Sequence, residues 1–224
     1  MGRWQALVFD FDGTLVDTET PWYQAAQEVY AEHGVTLAFE AWARGIGTAA
    51  HAFDPWAHLQ DQLGRPVDRA LVRARYEARV RALVAEAPLR PGVARLLAEA
   101  ARRGLRLGLA SSSPRAWVLG HLERLGLTGW FAAVCTQDDV ERVKPAPDLY
   151  LLALRRLGVA AEEALAVEDS PNGVRAAVAA GIRCVYVPNA TTAALPAPEA
   201  ALVLASFEEA DLRAWERLLE GGAG

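Results

Sequence analysis

The stretch "VFDFDGTLVDTE", residues 8–19, decides the fold that we predict for this chain. It begins inside an apolar run, Ala6–Phe9, which is followed by Asp10, Asp12 and Gly13. Because the run is apolar on successive residues, it predicts a strand that is buried on both faces of a parallel sheet. Side chains two residues apart along a strand point to the same face, so we expect the two carboxylates to converge on one site beside a tight glycine turn.

Three later runs have the same apolar character, and each is followed by turn residues and a helical pattern: Leu105–Ala110, Ala164–Val167 and Cys184–Val187. Strands that alternate with helices along the chain predict an α/β fold. We therefore expect a Rossmann-like, doubly wound parallel sheet, in which the carboxyl ends of the strands form the ligand-binding edge.

One region interrupts this alternation. From about Pro21 to Ala87 there is no strand-like run, and helical patterns follow one another. An all-helical insertion of about 70 residues after the first strand predicts a separate cap domain. We expect an α/β catalytic core formed by residues 1–16 and 88–224, and a helical cap domain formed by residues 17–87.

The composition argues against several classes of partner. The chain has 224 residues, of which 52% are hydrophobic, with a net charge of −5 and a pI near 5.5. Nucleic acids and anionic membranes both favour a concentrated basic surface, which this composition does not suggest. Cys135 and Cys184 form no disulfide or metal pattern, and no secretory signal or membrane span is recognisable. We therefore expect a cytoplasmic monomer whose partner is a small molecule.

The segment "LASSSP", residues 109–114, places Ser111 directly after the second predicted strand. Ser113 as N-cap and Pro114 at the first helical position predict that a helix starts here. The free N–H groups and the positive dipole end of that helix could bind an anion. Because Ser-Pro begins many helices, the segment alone is also compatible with a purely structural role.

The stretch "ERVKPAPDLY", residues 141–150, contains Lys144, the only lysine among 23 cationic side chains. Pro145 and Pro147 stiffen the backbone that follows it. A lysine held at the sheet edge can act as a compact point charge on a phosphate oxygen, whereas arginine presents a wide planar fork. We interpret Lys144 as a phosphate ligand, in preference to a lysine that stands on the surface by chance.

The stretch "LAVEDSPNG", residues 165–173, places Glu168 and Asp169 after the third predicted strand. Together with Asp10 and Asp12 they would form a cluster of hard oxygen ligands, which favours Mg²⁺. Four crowded carboxylates would repel one another without a cation. Ser170 and the proline after it predict a capped helix directly behind the cluster.

These four segments, "DFDGTLVDTE", "ASSS", "KPAPDLY" and "EDSPNG", resemble in order and spacing the signature motifs of the haloacid dehalogenase superfamily. The similarity is closest to its β-phosphoglucomutase-like and small-phosphatase branch, which carries a helical cap. It implies a Mg²⁺-dependent phosphatase that hydrolyses a small phosphate monoester, such as a sugar phosphate, through an aspartyl-phosphate intermediate. The motifs span residues 10–173 and are specific for the superfamily but not for the substrate.

The same resemblance implies a role for each matching residue. Asp10 would be the nucleophile, and Asp12 would be the general acid that later activates water. The residues implied to bind the phosphoryl group are Gly13, Ser111, Ser112 and Lys144. The residues implied to hold Mg²⁺ are Asp10, Asp12 through its backbone carbonyl, Asp169, and Glu168 through water. Phosphate monoesters hydrolyse extremely slowly unaided, so positioning and charge neutralisation would supply the catalysis.

Other activities of this superfamily fit the sequence less well. Dehalogenases lack the second aspartate, and phosphonatases use a cap lysine that is missing here. Sugar phosphomutases carry an arginine in a cap loop and a histidine after the first motif. Thr48 stands at the arginine position of the loop "RGIGTAA", residues 44–50, and Pro21 and Trp22 occupy the histidine region. Both departures favour hydrolysis over the phosphomutase alternative.

The cap loop also supplies the candidates for substrate specificity. We expect Arg44 and Thr48 to contact the leaving group. A non-enzymatic alternative also remains. In this alternative the fold is a phosphate-sensing or partner-binding module that retains the motifs without catalytic activity. Such a module would be expected to lose Asp10 or Asp12 first, and both are present.

Overall fold

The computed structural model describes residues 4–43 and 54–220. The chain forms two compact units: one contains the residues up to Val16 and from Pro88 onward, and the other is Asp17–Ala87. Among the described residues, no helix is both long and apolar enough to cross a membrane.

A six-stranded sheet forms the centre of the larger unit. Its strands in chain order are β1 (Ala6–Phe9), β2 (Arg106–Ala110), β3 (Ala133–Cys135), β4 (Ala164–Glu168), β5 (Arg183–Tyr186) and β6 (Leu202–Val203). The order across the sheet is β3-β2-β1-β4-β5-β6, and every pairing is parallel. The predicted α/β fold is therefore confirmed. Strands β3 and β6 were not predicted, because three and two residues carry too little periodic signal.

Helices make up the rest of the regular structure. In the smaller unit they are α1 (Glu19–Glu32), α2 (Phe39–Ala43), α3 (Pro55–Leu63) and α4 (Arg69–Ala85). In the larger unit they are α5 (Val93–Arg102), α6 (Arg115–Arg124), α7 (Asp148–Leu157), α8 (Pro171–Ala179) and α9 (Leu212–Glu220). Among its described residues, the smaller unit is helical and contains no strand. It is therefore a helical insertion between β1 and β2.

Strand β1 lies at the centre of the sheet, where it pairs with both β2 and β4. All four of its residues are buried, as expected for a strand whose two faces are covered. Phe9, its last residue, lies opposite Leu109 and Val167 of the two neighbouring strands. Because the three strands end at nearly the same level, the residues that follow them share one edge of the sheet.

The two predicted serine caps had different outcomes. Ser170 caps α8 as expected, since its hydroxyl accepts a hydrogen bond of 3.0 Å from the backbone N–H three residues on. The prediction for Ser113 is wrong: α6 begins at Arg115, Pro114 takes the N-cap position, and the N–H of Arg115 donates to the carboxylate of Asp138 at 2.7 Å. The Ser113 hydroxyl instead donates to the carboxylate of Asp12 at 2.6 Å. A hydrogen bond to a charged acceptor is stronger than a neutral cap, so it prevails over the local preference.

The helical insertion has an aromatic core of its own. Tyr76 of α4 is 6% exposed and contacts Trp22 of α1 and Trp56 of α3 edge-on, with ring centroids 5.6 and 5.0 Å apart. Edge-to-face pairs of this kind stabilise a core beyond the apolar area that they bury. The insertion therefore packs around aromatic side chains supplied by three of its helices.

Candidate active site

The carboxyl ends of β1, β2 and β4 bring three of the predicted segments to one edge of the sheet. Asp10 directly follows β1, Ser111 follows β2, and Glu168 is the last residue of β4. These three residues are 6%, 1% and 0% exposed. The fourth segment reaches the same edge through Lys144, which bonds to two of them. Residues from segments far apart in the sequence thus form one cluster.

Lys144 is the cation within this cluster. Its Nζ donates to Asp10 Oδ1 at 2.5 Å and to Glu168 Oε1 at 2.6 Å. Its side chain is 7% exposed, and Nζ lies 5.2 Å from the centre of the Tyr150 ring. Lys144 is therefore a buried lysine between two carboxylates, and the alternative of a lysine on the surface by chance is wrong.

Glu168 is surrounded by hydrogen-bond donors. Besides Lys144, its Oε1 accepts from the Tyr150 hydroxyl at 2.7 Å. Its Oε2 accepts from the backbone N–H groups of Asp169 and Ser170 at 3.2 and 3.4 Å, and from the Ser170 hydroxyl at 3.3 Å. These donors use most of the accepting capacity of the carboxylate. The geometry favours an anchoring role for Glu168 and leaves little room for a direct bond to a metal.

The cluster contains more acidic than basic side chains, since two carboxyl groups share one lysine. Burial raises the pKa of the Asp10 carboxyl to about 8; Lys144 opposes that shift, while Glu168 and Asp12 reinforce it. Burial acts to lower the pKa of Lys144, but the carboxylates of Asp10 and Glu168 outweigh it and raise the pKa above its usual value. A further cation beside Asp10 would stabilise its ionised form.

The oxygen atoms at the edge fit a hard cation. Asp10, Glu168 and Asp169 each present one carboxylate oxygen, and these three atoms lie within 4.8 Å of one another. The carboxylates are buried and the donors are all oxygen, which is the ligand set that Mg²⁺ prefers. The carboxylate of Asp12 is outside this group, so only its backbone carbonyl remains as a candidate ligand.

Asp12 accepts hydrogen bonds from side chains of the loop after β2 and of α6. Its Oδ1 accepts from Trp117 Nε1 at 2.8 Å, and its Oδ2 accepts from the hydroxyls of Ser113 and Ser111 at 2.6 and 3.4 Å. The Trp117 ring in turn contacts His121, with centroids 4.4 Å apart. The two carboxylates of the "DFD" motif therefore have different partners: Asp10 a cation, Asp12 neutral donors.

Gly13 is at a position where no other residue fits. Its φ of +79° is in the left-handed region, and a Cβ atom there would lie 2.3 Å from Asp169 Oδ2. Its carbonyl oxygen accepts from Arg90 Nη1 at 2.6 Å. The structure thus shows why a glycine is needed at this turn, while the predicted contact of Gly13 with a phosphoryl group stays a prediction.

The predicted serines lie in the loop after β2. Ser111 Oγ accepts from the backbone N–H of Ser113 at 3.0 Å, which fixes its orientation. Ser112 Oγ is buried and has no hydrogen-bond partner in the part of the chain that the structure describes. An unpartnered buried hydroxyl is costly, so Ser112 is suited to bonding a ligand. Arg44 and Thr48 lie outside the described residues.

Four residues at this edge were not predicted from the sequence: Thr14, Trp117, Tyr150 and Asn189. Tyr150 occupies an apolar position of α7, and its bond to Glu168 has no local signal. Trp117 lies in the first turn of α6, whereas Ser113 precedes the helix, so no helical spacing in the sequence predicts that both bond to Asp12. Thr14 and Asn189 both donate to Asp169, at 2.9 and 2.7 Å.

Comparison with known proteins shows the family of the chain. The family model for haloacid dehalogenase-like hydrolases matches residues 4–181. "Putative phosphatase YhcW" of Bacillus subtilis is 47% identical over 85% of this chain and 86% of its own length. "Fructose-1-phosphate phosphatase YqaB" of Escherichia coli is 34% identical over 83% of this chain and 97% of its own.

A solved structure supports the same relationship. The crystal structure of CbbY from Rhodobacter sphaeroides, in complex with phosphate, superposes with a TM-score of 0.71 at 33% sequence identity. The match covers 92% of this chain and 95% of CbbY. The family match spans β1 to the end of α8, and so includes all four segments that meet at the sheet edge. The chain therefore belongs to the haloacid dehalogenase-like hydrolases.

Proposed function

We propose that this enzyme is a phosphatase that hydrolyses a small phosphate monoester, of the sugar-phosphate or a similar metabolite class. The observation that carries the proposal is the buried group at the sheet edge, in which Lys144 lies between Asp10 and Glu168 and a second carboxylate, Asp12, is held separately. The names of the two curated relatives support the same reaction class, since one is a putative phosphatase and the other a fructose-1-phosphate phosphatase.

In the first step a carboxylate oxygen of Asp10 attacks phosphorus in line with the ester oxygen. The bond between phosphorus and that oxygen breaks, an aspartyl-phosphate forms on Asp10, and Asp12 donates a proton to the leaving oxygen. Lys144 and the hydroxyls of Ser111 and Ser112 bind the phosphoryl oxygens and offset their charge. Such preorganised donors act strongly because the site is buried.

In the second step Asp12 removes a proton from water, and the resulting nucleophile attacks phosphorus. The bond from phosphorus to Asp10 breaks, which releases phosphate and restores both carboxyl groups. We infer that Trp117 and Ser113, which donate to Asp12, hold it in its resting orientation between the steps.

Mg²⁺ fits this site as a partner of the transferred phosphoryl group. Asp10, Asp169 and the carbonyl of Asp12 would hold it directly, with Glu168 behind them through water. When bound, Mg²⁺ supplies positive charge to the phosphoryl oxygens. The hydroxyl of Thr14 and the amide of Asn189 hold the Asp169 carboxylate in place for this purpose.

The decisive experiment measures phosphate release from a panel of sugar, nucleotide and glycolytic phosphate monoesters, with and without Mg²⁺. Asp10→Asn removes the proposed nucleophile, and Asp61→Asn makes the same change at an exposed position as a matched control. We expect Mg²⁺-dependent release that is retained in Asp61→Asn and lost in Asp10→Asn. Release by Asp10→Asn at the wild-type rate would contradict the proposed mechanism.

The same panel separates the alternatives. Conversion of β-glucose 1-phosphate into glucose 6-phosphate without free phosphate would identify a phosphomutase. No turnover of any ester by folded, Mg²⁺-supplied protein would identify a binding module. We also propose that the enzyme acts as a monomer in the cytoplasm and binds neither nucleic acid nor membranes. A dimer in sedimentation analysis would contradict the proposed monomeric state.

A further inference from the structure

The loop that follows β5 contributes a fifth segment to the sheet edge. This segment, "VPNATT", residues 187–192, follows the strand directly, and none of the four motifs includes it. Its residue Asn189 is 6% exposed, and the two threonines after it, Thr191 and Thr192, are 3% and 0% exposed. A buried amide needs partners at both of its ends, so the orientation of Asn189 can be argued from its hydrogen bonds.

The oxygen end of the Asn189 amide is fixed by its own loop. Oδ1 lies within hydrogen-bond distance of the backbone N–H groups of Thr191 and Thr192, at 2.9 and 3.1 Å, and of their hydroxyls, at 2.7 and 3.2 Å. Backbone N–H groups can only donate. The NH₂ end therefore cannot occupy this position, and the amide has a single allowed orientation.

The nitrogen end consequently faces the active site. Asn189 Nδ2 donates to Asp169 Oδ2 at 2.7 Å, while Thr14 Oγ1 donates to Asp169 Oδ1 at 2.9 Å. Each carboxylate oxygen thus accepts a hydrogen bond from a neutral donor. Glu168, by contrast, bonds to the ammonium of Lys144. The two adjacent acids are therefore held by different means, one by a cation and one by an amide and a hydroxyl.

Two further contacts hold this arrangement in place. Arg90 donates to the carbonyl oxygens of Gly13, Val187 and Pro188 at 2.6, 2.9 and 2.7 Å, and so joins the turn after β1 to the loop after β5. At Gly13 a Cβ atom would lie 2.7 Å from Asn189 Nδ2. The amide thus occupies the space that a side chain at Gly13 would need.

We propose that Asn189 is a positioning residue, which orients the Asp169 carboxylate for binding a divalent cation. The inference rests on the proposed function, because Asp169 is a ligand only if the enzyme uses a metal. Groups that orient a ligand typically change metal affinity by about 10- to 100-fold when they are removed. Asn189→Ala should therefore weaken cation binding by about that factor, even without substrate.

The test measures Mn²⁺ binding by electron paramagnetic resonance, with Mg²⁺ as competitor, on the full chain without substrate. Asn189→Ala removes both ends of the amide. Asn189→Ser keeps a hydroxyl that can bond within the loop, but the serine side chain is too short to reach Asp169. This variant replaces Asn189→Ala in the binding test if the alanine variant does not fold. Thr191→Val is the matched control, since it removes a bond to Asn189 Oδ1 within the same loop but leaves Nδ2 in place. We expect weak binding in both Asn189 variants and near wild-type binding in Thr191→Val.

Two results would overturn the inference. One is a folded Asn189 variant that binds Mn²⁺ as tightly as the wild type. The other is a loss in Thr191→Val as large as that in Asn189→Ala, because the loop alone would then be responsible. If the wild-type chain bound neither Mn²⁺ nor Mg²⁺, the metal-dependent function would fail as well. Tight wild-type binding with unchanged Asn189 variants would remove this inference only.

Discussion

Ion pairs in the two units of this enzyme have similar lengths but very different surroundings. In the helical insertion, Arg75 of α4 pairs with Glu32 of α1 at 2.8 Å, and the two side chains remain 58% and 50% exposed. In the α/β unit, Lys144 pairs with Asp10 and Glu168 at 2.5 and 2.6 Å, and the three side chains are 7%, 9% and 0% exposed. Distance alone would rank these pairs as equals.

The exposed and the buried ion pairs differ in their contribution to stability because they differ in burial. Exposed pairs typically contribute about 0–1 kcal/mol, because water screens them and ordering two long side chains costs entropy. Removing one partner of a buried pair costs about 3–5 kcal/mol, because the remaining charge is left without compensation. The abundance of arginine in the chain therefore does not indicate which ion pairs contribute most to the free energy of unfolding. The single lysine lies in the buried group, where removing a charge costs most.

The largest effect is expected for Lys144→Met. The change leaves Asp10 and Glu168 without their shared cation, so the free energy of unfolding should fall by about 3–5 kcal/mol. Phosphate release should fall by about 100-fold or more, because a donor to the phosphoryl group is also lost. Urea unfolding and a phosphate assay measure the two effects. Stability equal to that of the wild type would mean that the buried pair behaves like an exposed one.

A double variant tests whether the charges of Lys144 and Glu168 are energetically coupled. Glu168→Gln added to Lys144→Met removes one of the two unpaired charges, although the amide oxygen can accept either from the Tyr150 hydroxyl or from the backbone N–H groups of Asp169 and Ser170, but not from both. We expect the double variant to regain about 1–3 kcal/mol over Lys144→Met, because the cost of an uncompensated buried charge is relieved. A double-mutant cycle in urea measures this coupling. If the losses of stability in the two single variants simply added in the double variant, Lys144 and Glu168 would not be energetically coupled.

Asp139 offers an intermediate case. Its side chain is 12% exposed and pairs with Arg115 and Arg156 at 2.6 and 2.9 Å. Burial opposes ionisation, but the hydrogen bonds from Arg156, Thr136 and Arg115 prevail and lower the pKa of the Asp139 carboxyl. At pH 7 we expect Asp139→Asn to lose about 1–2 kcal/mol of stability.

The pH dependence of that loss has a definite sign. Because the folded pKa of Asp139 is depressed, its contribution is present above the unfolded pKa of about 4 and is lost as the pH falls further. The difference between wild type and Asp139→Asn should therefore shrink below about pH 4. Chemical unfolding between pH 7 and pH 3 measures it, with Asp61→Asn at an exposed position as control. A difference that stays constant with pH would exclude the ion pairs as its cause.

The smallest effect is expected in the helical insertion. Arg75→Ala removes an exposed partner from α4, and alanine is a strong helix former, so stability should change by less than about 1 kcal/mol. The coupling with Glu32→Ala, measured in a double-mutant cycle, should be equally small. A coupling as large as that of Lys144 with Glu168 would break the comparison, because exposure would then not be the deciding variable.

Much of the fold followed from local patterns. The apolar run Ala6–Phe9 became the central strand with the predicted bounds, and the absence of strand patterns after it marked the helical insertion. The strand Ala133–Cys135 was missed because three residues carry no recognisable period. Ser113 was predicted as a helix cap because the local rule cannot see a carboxylate 101 residues away.

The sequence by itself determined which chemical groups this protein has and at which strand ends they stand, because apolar runs, glycines and the order of the motifs are local properties. Only the tertiary structure decided which of those groups are partners. Lys144 reaches Asp10 across 134 residues, and Asn189 reaches Asp169 from a loop without a motif. Such pairings depend on the parallel register that brings the strand ends level, and on burial, which gives each contact its energy.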